Sequence, residues 1–318
     1  MRVRREIKMS TKKYLKIFVV LLVLVLVVGC SDQSYEEYQS AVEKTENLES
    51  GKYSIEIEYQ TDFSEEVLTI EELKDYSNLS NIKFTGNNVF NQLENEMHFY
   101  GNLESENLGL DLEYFQKGEN KYLKIPILGK YIDLNDLDTE KLSQEMSFDI
   151  NDNMNINLDE EAFKEIGNLW TEAVKEENVF KGKKSLLETP DGDVKVTEYT
   201  IEFSHELLKE LINKTLVILE IPNEVSPMNE ITIEAFDYIA YVDVDGFIIK
   251  ENFVMDYLVE EVAEVESGHF KFEIINYDIN KLQNIKMPEI KDTMILDLDK
   301  MDEFIGGFEG LNLGDIDE

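Results

Sequence analysis

The chain has 318 residues, with 30 Lys plus Arg against 68 Asp plus Glu and a formal charge of −38. So acidic a body repels phosphate backbones, which excludes nucleic acid as an expected partner. Hydrophobic content of 42% with 17 Phe and 15 Tyr excludes a chain without a core, and one cysteine excludes any disulfide within the chain.

The N-terminus carries the most specific signal. Arg2, Arg4, Arg5, Lys8, Lys12, Lys13 and Lys16 precede an unbroken apolar run from Ile17 to Val28, and Gly29-Cys30 follow. A basic head, an apolar middle and a small residue at the cut make a secretory signal peptide. Met9 is an alternative start that leaves an adequate basic head. The run is shorter than the roughly 20 apolar residues a membrane-spanning helix needs. Ser31 and Asp32 stop its extension. The cysteine directly after the cut resembles the lipobox of bacterial lipoproteins, in which that thiol is acylated and becomes the new N-terminus.

The resemblance implies a signal peptide over 1–29, cleavage after Gly29, lipidation at Cys30 and a membrane partner reached through that anchor. The body is then expected on the outer leaflet of the cell membrane, outside the cytoplasm. Cleavage without lipidation, leaving a free thiol, is the alternative. Two acyl chains hold stably where one does not, at about 0.8 kcal/mol per buried methylene. Loss of residues 1–29 removes seven of the 30 basic and one of the 68 acidic residues, which moves the charge from −38 to −44. Such a body repels anionic headgroups, so residence at the membrane depends on the anchor.

Ser34-x-x-Glu37 reads as a capping box, and Tyr35, Tyr38, Val42 and Leu48 recur at helical spacing, so a helix is expected over 34–49, ended by Gly51. Tyr53, Ile55, Ile57 and Tyr59 then alternate with polar residues, the pattern of a strand with one buried face. Further strands are expected over 79–84, 97–100, 108–114 and 121–125, the last two joined as a hairpin at Lys117-Gly118-Glu119-Asn120. Residues 158–174 change period, with Phe163, Ile166, Leu169, Trp170, Ala173 and Val174 as a helical stripe and Trp170 as core. Strands return over 179–187 and 194–203 across Pro190-Asp191-Gly192. Ser204 caps a helix to about Leu219. Strands over 231–242 and 247–258 flank Asp245-Gly246, whose residues suit a tight hairpin turn. A last strand holds His269 to Tyr277, and an acidic tail with Phe304 and Phe308 closes the chain.

Long antiparallel strands with few helices predict an α+β fold: one large twisted antiparallel sheet, a half-barrel, with helices covering its concave face. The expected division is an anchor and first helix over 30–50, a half-barrel over 51–290 and a tail over 291–318, loosely packed from about 289. The order of elements, with Lys121-Tyr122-Leu123-Lys124-Ile125-Pro126, Gly129 to Leu134, Val242 to Lys250, His269 to Ile279 and Lys286-Met287-Pro288, resembles uncharacterised Gram-positive surface lipoproteins. Their fold is similar to the carriers LolA and LolB and to the mycobacterial LppX group. The resemblance implies an apolar concave face, able in some members to hold acyl chains, and supplies no catalytic residues.

Catalytic patterns are scarce. His205-Glu206-Leu207-Leu208-Lys209 misses the second histidine of a zinc peptidase helix, and Lys209 would repel the metal, so it reads as a helix start. His98 and His269 are expected as surface residues. Asp149, Asn151, Asn153, Asn155, Asn157 and Glu160 fall at positions 1, 3, 5, 7, 9 and 12 of a calcium loop, but Met154 stands where the bend requires glycine. An Asn-rich connector is the expected reading, with no metal, no cofactor and no enzymatic activity. The expected function is binding of an apolar ligand or acyl chain in the half-barrel. The alternative is a non-catalytic platform for another cell-envelope component.

Overall fold

The computed structural model describes residues 33–63, 80–105, 109–135, 160–219, 231–259 and 265–296. Three helices, α1 (Gln33–Glu46), α2 (Glu160–Ala173) and α3 (His205–Ile218), accompany eleven strands in the described residues. The strands are β1 (Ser50–Phe63), β2 (Asn81–Asn91), β3 (Glu96–Glu104), β4 (Gly109–Lys117), β5 (Asn120–Ile125), β6 (Lys130–Asp133), β7 (Val179–Thr189), β8 (Gly192–Ile201), β9 (Ile231–Asp243), β10 (Ile248–Val259) and β11 (Val265–Tyr277). They form one open antiparallel sheet in the order β6-β5-β4-β3-β2-β1-β11-β10-β9-β8-β7. Two meanders meet where β1 pairs with β11, giving the expected α+β half-barrel.

Register explains why the alternation matters. Ile57 of β1 stands opposite Phe84 of β2 and Phe272 of β11, and Phe272 stands opposite Phe253 of β10. Cross-strand partners share a face, so these rings form one apolar face. The other face carries charge. Lys83 Nζ reaches Glu58 at 2.7 Å and Glu56 at 2.9 Å, and Lys271 Nζ reaches Glu56 at 2.5 Å. These pairs are partly solvated, so they set register more than they add stability.

The helices gather on the apolar face over β7–β10. Tyr38 and Ala41 of α1, Leu208 and Leu211 of α3, and Val179, Ile201 and Ala240 of the sheet make a buried core. Each large apolar side chain buried there contributes roughly 1.5–3 kcal/mol relative to exposure. Ser204 caps α3 as expected, its Oγ accepting from the Leu207 N–H at 3.2 Å. Gly118 (φ 60°) and Gly246 (φ 84°) sit in the left-handed region in the two expected hairpin turns.

The expected ends of α1 and β2 need correction. α1 ends at Glu46, and Gly51 lies inside β1 without a positive φ, so it does not terminate the helix. Helix α1 starts at Gln33, one residue before the expected Ser34, and the Glu37 carboxylate accepts from Lys181 and from the Tyr199 hydroxyl at 2.5 Å. β2 runs from Asn81 to Asn91, well past the expected end at Phe84, because Asn87 to Asn91 continue its pairing with β1.

The chain after β11 is seated on the sheet. Asn280 N–H donates to Ser50 O at 2.8 Å, and Ile285 is buried. Ile295 forms a parallel bridge with Tyr131 of β6, and Leu296 N–H donates to Tyr131 O at 2.7 Å. Residues 293–296 therefore lie against β6 instead of hanging loosely. Residues 297–318, including Phe304 and Phe308, lie outside the described residues.

Candidate functional site

Helix α1 stands off the sheet at one end, held by specific ties. Thr45 Oγ1 donates to Ala41 O and accepts from the Ile248 N–H at 2.9 Å, and Lys44 Nζ donates to Asp245 O at 2.8 Å. These bonds fasten its last turn to the β9–β10 hairpin. Between α1, α2 and the sheet lies a hollow of about 450 Å³. That volume is within the range of small-molecule sites, about 300–1,000 Å³. Val42, Leu48, Phe90, Met97, Val174 and Phe203 supply its apolar walls. Trp170 is not plain core. It is half-buried, lines the hollow, donates from Nε1 to Thr215 Oγ1 at 3.0 Å and meets Phe203 and Phe253 edge-on.

The floor of this hollow is polar. Tyr53 of β1 stands opposite Asn88 of β2 on one side and Asn276 of β11 on the other, and Ile274 of β11 stands opposite Glu251 of β10. The four residues Asn88, Tyr53, Asn276 and Glu251 thus form a band across four neighbouring strands, and all four line the hollow. Tyr238 Oη donates to Glu251 Oε1 at 2.6 Å, and the Tyr38 and Tyr238 hydroxyls are 3.1 Å apart. Asn276 Nδ2 donates to Ile248 O at 2.9 Å. Asn88 is 1% exposed, and neither polar atom of its amide has a hydrogen-bond partner among the described residues. Burial raises the Tyr53 hydroxyl above its ordinary value, and the Asn88 amide offsets part of that rise.

Burial pushes the Glu251 carboxyl above its ordinary value of 4.5. The Tyr238 hydrogen bond opposes that shift, and the nearby Glu46 carboxylate adds to it. Burial likewise raises Tyr238 far above 10.0, with the Glu251 charge as the next cause. Glu251 is half-buried and lines the hollow. Among the described residues, Glu46 and Glu251 are the charged groups that line it, and no Lys, Arg or His does.

The residues singled out from sequence are scattered. Gly29 and Cys30 lie outside the described residues, as do Asp149, Asn151, Asn153, Asn155 and Asn157. Glu160 is the first residue of α2. His205 opens α3 and is exposed, in keeping with a helix start. His98 is half-buried, stacked on Phe115 at 4.5 Å with Nε2 3.8 Å from Glu113. His269 Nδ1 lies 2.6 Å from Asp256. Both histidines sit on the charged face, away from the hollow. Among the described residues no three His, Cys, Asp or Glu side chains gather to hold a metal, and no helix is long and apolar enough to cross a membrane.

The polar band escaped the sequence reading, although a signal was present. Asn88 follows Ile82, Phe84 and Gly86 in the apolar phase of β2, and Asn276 follows Phe270, Phe272 and Ile274 in that of β11. Glu251 precedes Phe253, Met255 and Tyr257 in β10. A polar residue in the buried phase of a strand marks either a satisfied network or a site.

No family model and no curated protein matches this chain. Among solved structures, a LolA superfamily protein from Nitrosomonas europaea is 9% identical, over 84% of this chain and 98% of that one, with a TM-score of 0.20. A beta-barrel-like protein with a domain of unknown function from Brucella abortus is 10% identical, over 73% of this chain and all of that one, with a TM-score of 0.21. The fold description rests on the strand order and register of this chain alone.

Proposed function

We propose that this chain is a lipid-anchored extracytoplasmic binding protein that holds an apolar ligand in the hollow between α1, α2 and the sheet. The observation that carries the reading is the hollow itself: about 450 Å³, walled by aliphatic and aromatic side chains at one end of an open sheet. An apolar molecule seated there leaves water at about 25 cal/mol for each Å² buried. The anchored location is supported by the basic head, the apolar run from Ile17 to Val28 and the Gly29-Cys30 junction. The apolar walls and polar floor suit binding, and the reading is carriage or sensing.

Two measurements test the two halves. Native mass spectrometry of the full chain, purified from membranes in mild detergent, should show a reproducible added mass that disappears on organic extraction. A chain that is always empty, and takes up no alkyl probe afterwards, overturns ligand binding. Radiolabelled palmitate fed to expressing cells should label the wild type and not Cys30→Ser. Equal labelling of both removes the anchor at Cys30.

A further inference from the structure

We propose that the ligand of this hollow is a cationic amphiphile: an apolar body with an amine at its polar end, the amine paired with Glu251. This rests on the ligand-binding reading above and adds to it the chemistry of the polar end.

A purely apolar guest does not explain the floor. Asn88 is 1% exposed, lines the hollow and has no hydrogen-bond partner among the described residues. Leaving such an amide unpaired costs on the order of 1–3 kcal/mol, so the band fits a guest that brings its own polar groups. Their charge follows from the donors already committed. Tyr238 Oη–H is spent on Glu251 Oε1, and the Tyr38 hydroxyl donates onward to Tyr238 Oη. The chain ends on a carboxyl group, which when ionised only accepts. Glu46 places a second carboxylate on the hollow's lining, and no basic side chain among the described residues lines it. A fatty acid would bring a third carboxylate to two others with no cation to offset it. An ammonium instead finds an acceptor and an opposite charge, and a bond of that kind is about twice as strong as a neutral one.

The band also sets the reach of the polar end. Glu251 and Asn88 lie on β10 and β2, with β11 and β1 between them. Strands are spaced about 4.8 Å apart, so a single amine does not touch both side chains. The amine belongs at Glu251. A second, uncharged polar group of the ligand, such as an amide or hydroxyl, belongs toward Asn88.

The test uses the full chain with dodecylamine, dodecanol and dodecanoate, each below its micelle concentration, displacing a fluorescent alkyl reporter at pH 7. Sodium chloride at about 0.5 M screens the general attraction of an acidic surface for amines. Dodecylamine should bind at least about tenfold more tightly than dodecanoate, a difference of about 1.4 kcal/mol. Glu251→Gln should reduce the preference to about twofold, whereas Glu188→Gln on the exposed side of β7 should leave it intact. Equal affinity for amine and carboxylate in the wild type, or a preference that survives Glu251→Gln, overturns the assignment while binding itself stands. Failure of all three probes to bind overturns the binding function as well.

Discussion

Glu251 is the residue on which the site turns, and its ionisation leaves a signature in stability. Its carboxyl is raised above 4.5 chiefly by burial, so the folded chain holds that proton at pH values where the unfolded chain has released it. A folded state that binds more protons loses stability as pH rises. The loss begins near pH 4.5 and is complete once pH passes the folded value; a displacement of one pH unit corresponds to about 1.4 kcal/mol. Glu37, Glu56 and Asp278 are displaced downward, chiefly by hydrogen bonds from lysines, so they add the opposite slope at more acid pH. Subtraction isolates the one group. Urea unfolding of wild type and Glu251→Gln should give nearly equal stabilities at pH 4, with the variant the more stable of the two at pH 8. A difference that stays constant from pH 4 to pH 8 would mean that burial does not raise the Glu251 carboxyl. The close approach at Gly268 is a second constraint at this scale. A Cβ there would meet the Tyr257 ring 2.2 Å away, and Tyr257 Oη in turn lies 3.1 Å from Tyr59 Oη.

Among elements, strands were the most legible in the sequence and the site was the least. Period-two alternation in β1 and β11 and the turn glycines Gly118 and Gly246 follow from local sterics, so they can be read without knowing partners. The C-terminal limit of helix α1 is not legible in the sequence because it depends on distant contacts, with β1 taking Gly51. The site was hidden for the same reason. Tyr38, Asn88 and Glu251 come from α1, β2 and β10, and only the register of the sheet brings them to one hollow. The open sheet also has two free edges, which invite pairing with another chain. At β7 the edge is guarded by exposed Lys181, Lys183 and Lys184 and by a register shift between Lys181 and Lys184. At β6 it is covered by the bridge from Ile295 and by Lys130 Nζ donating to Thr293 O at 2.8 Å. A chain ending at Pro288 uncovers β6, whereas one ending after Leu296 does not. Light scattering after gel filtration should show concentration-dependent dimers or larger species for the first and a monomer for the second. Two monomers would show that the 289–296 segment does not protect the edge.

Across the whole molecule, charge is the least balanced quantity. The full chain carries 68 acidic residues against 30 basic ones. Many of the described lysines are already used in pairs on the charged face, such as Lys250 with Glu273 at 2.8 Å and Lys124 with Glu113 at 2.8 Å. Those pairs are partly solvated, so each contributes little and salt weakens them slightly. The surplus carboxylates have no such partners in number, and their mutual repulsion acts against the compact state. Salt therefore pulls in two directions. Screening weakens a limited set of favourable pairs and also relieves a larger set of unfavourable ones, because the Debye length falls from about 30 Å at 0.01 M to about 3 Å at 1 M. With acids exceeding bases by more than two to one, relief should dominate. The thermal midpoint should rise by several degrees between 10 mM and 500 mM sodium chloride, where 1 kcal/mol corresponds to about 2–4 °C for a chain of this size class. Calorimetry on the full chain in detergent measures it directly. Potassium acetate should act like sodium chloride at equal ionic strength, because screening depends on charge and concentration rather than ion identity. A midpoint that falls with both salts would place more stability in the lysine–carboxylate ladders of the charged face than in relief of repulsion.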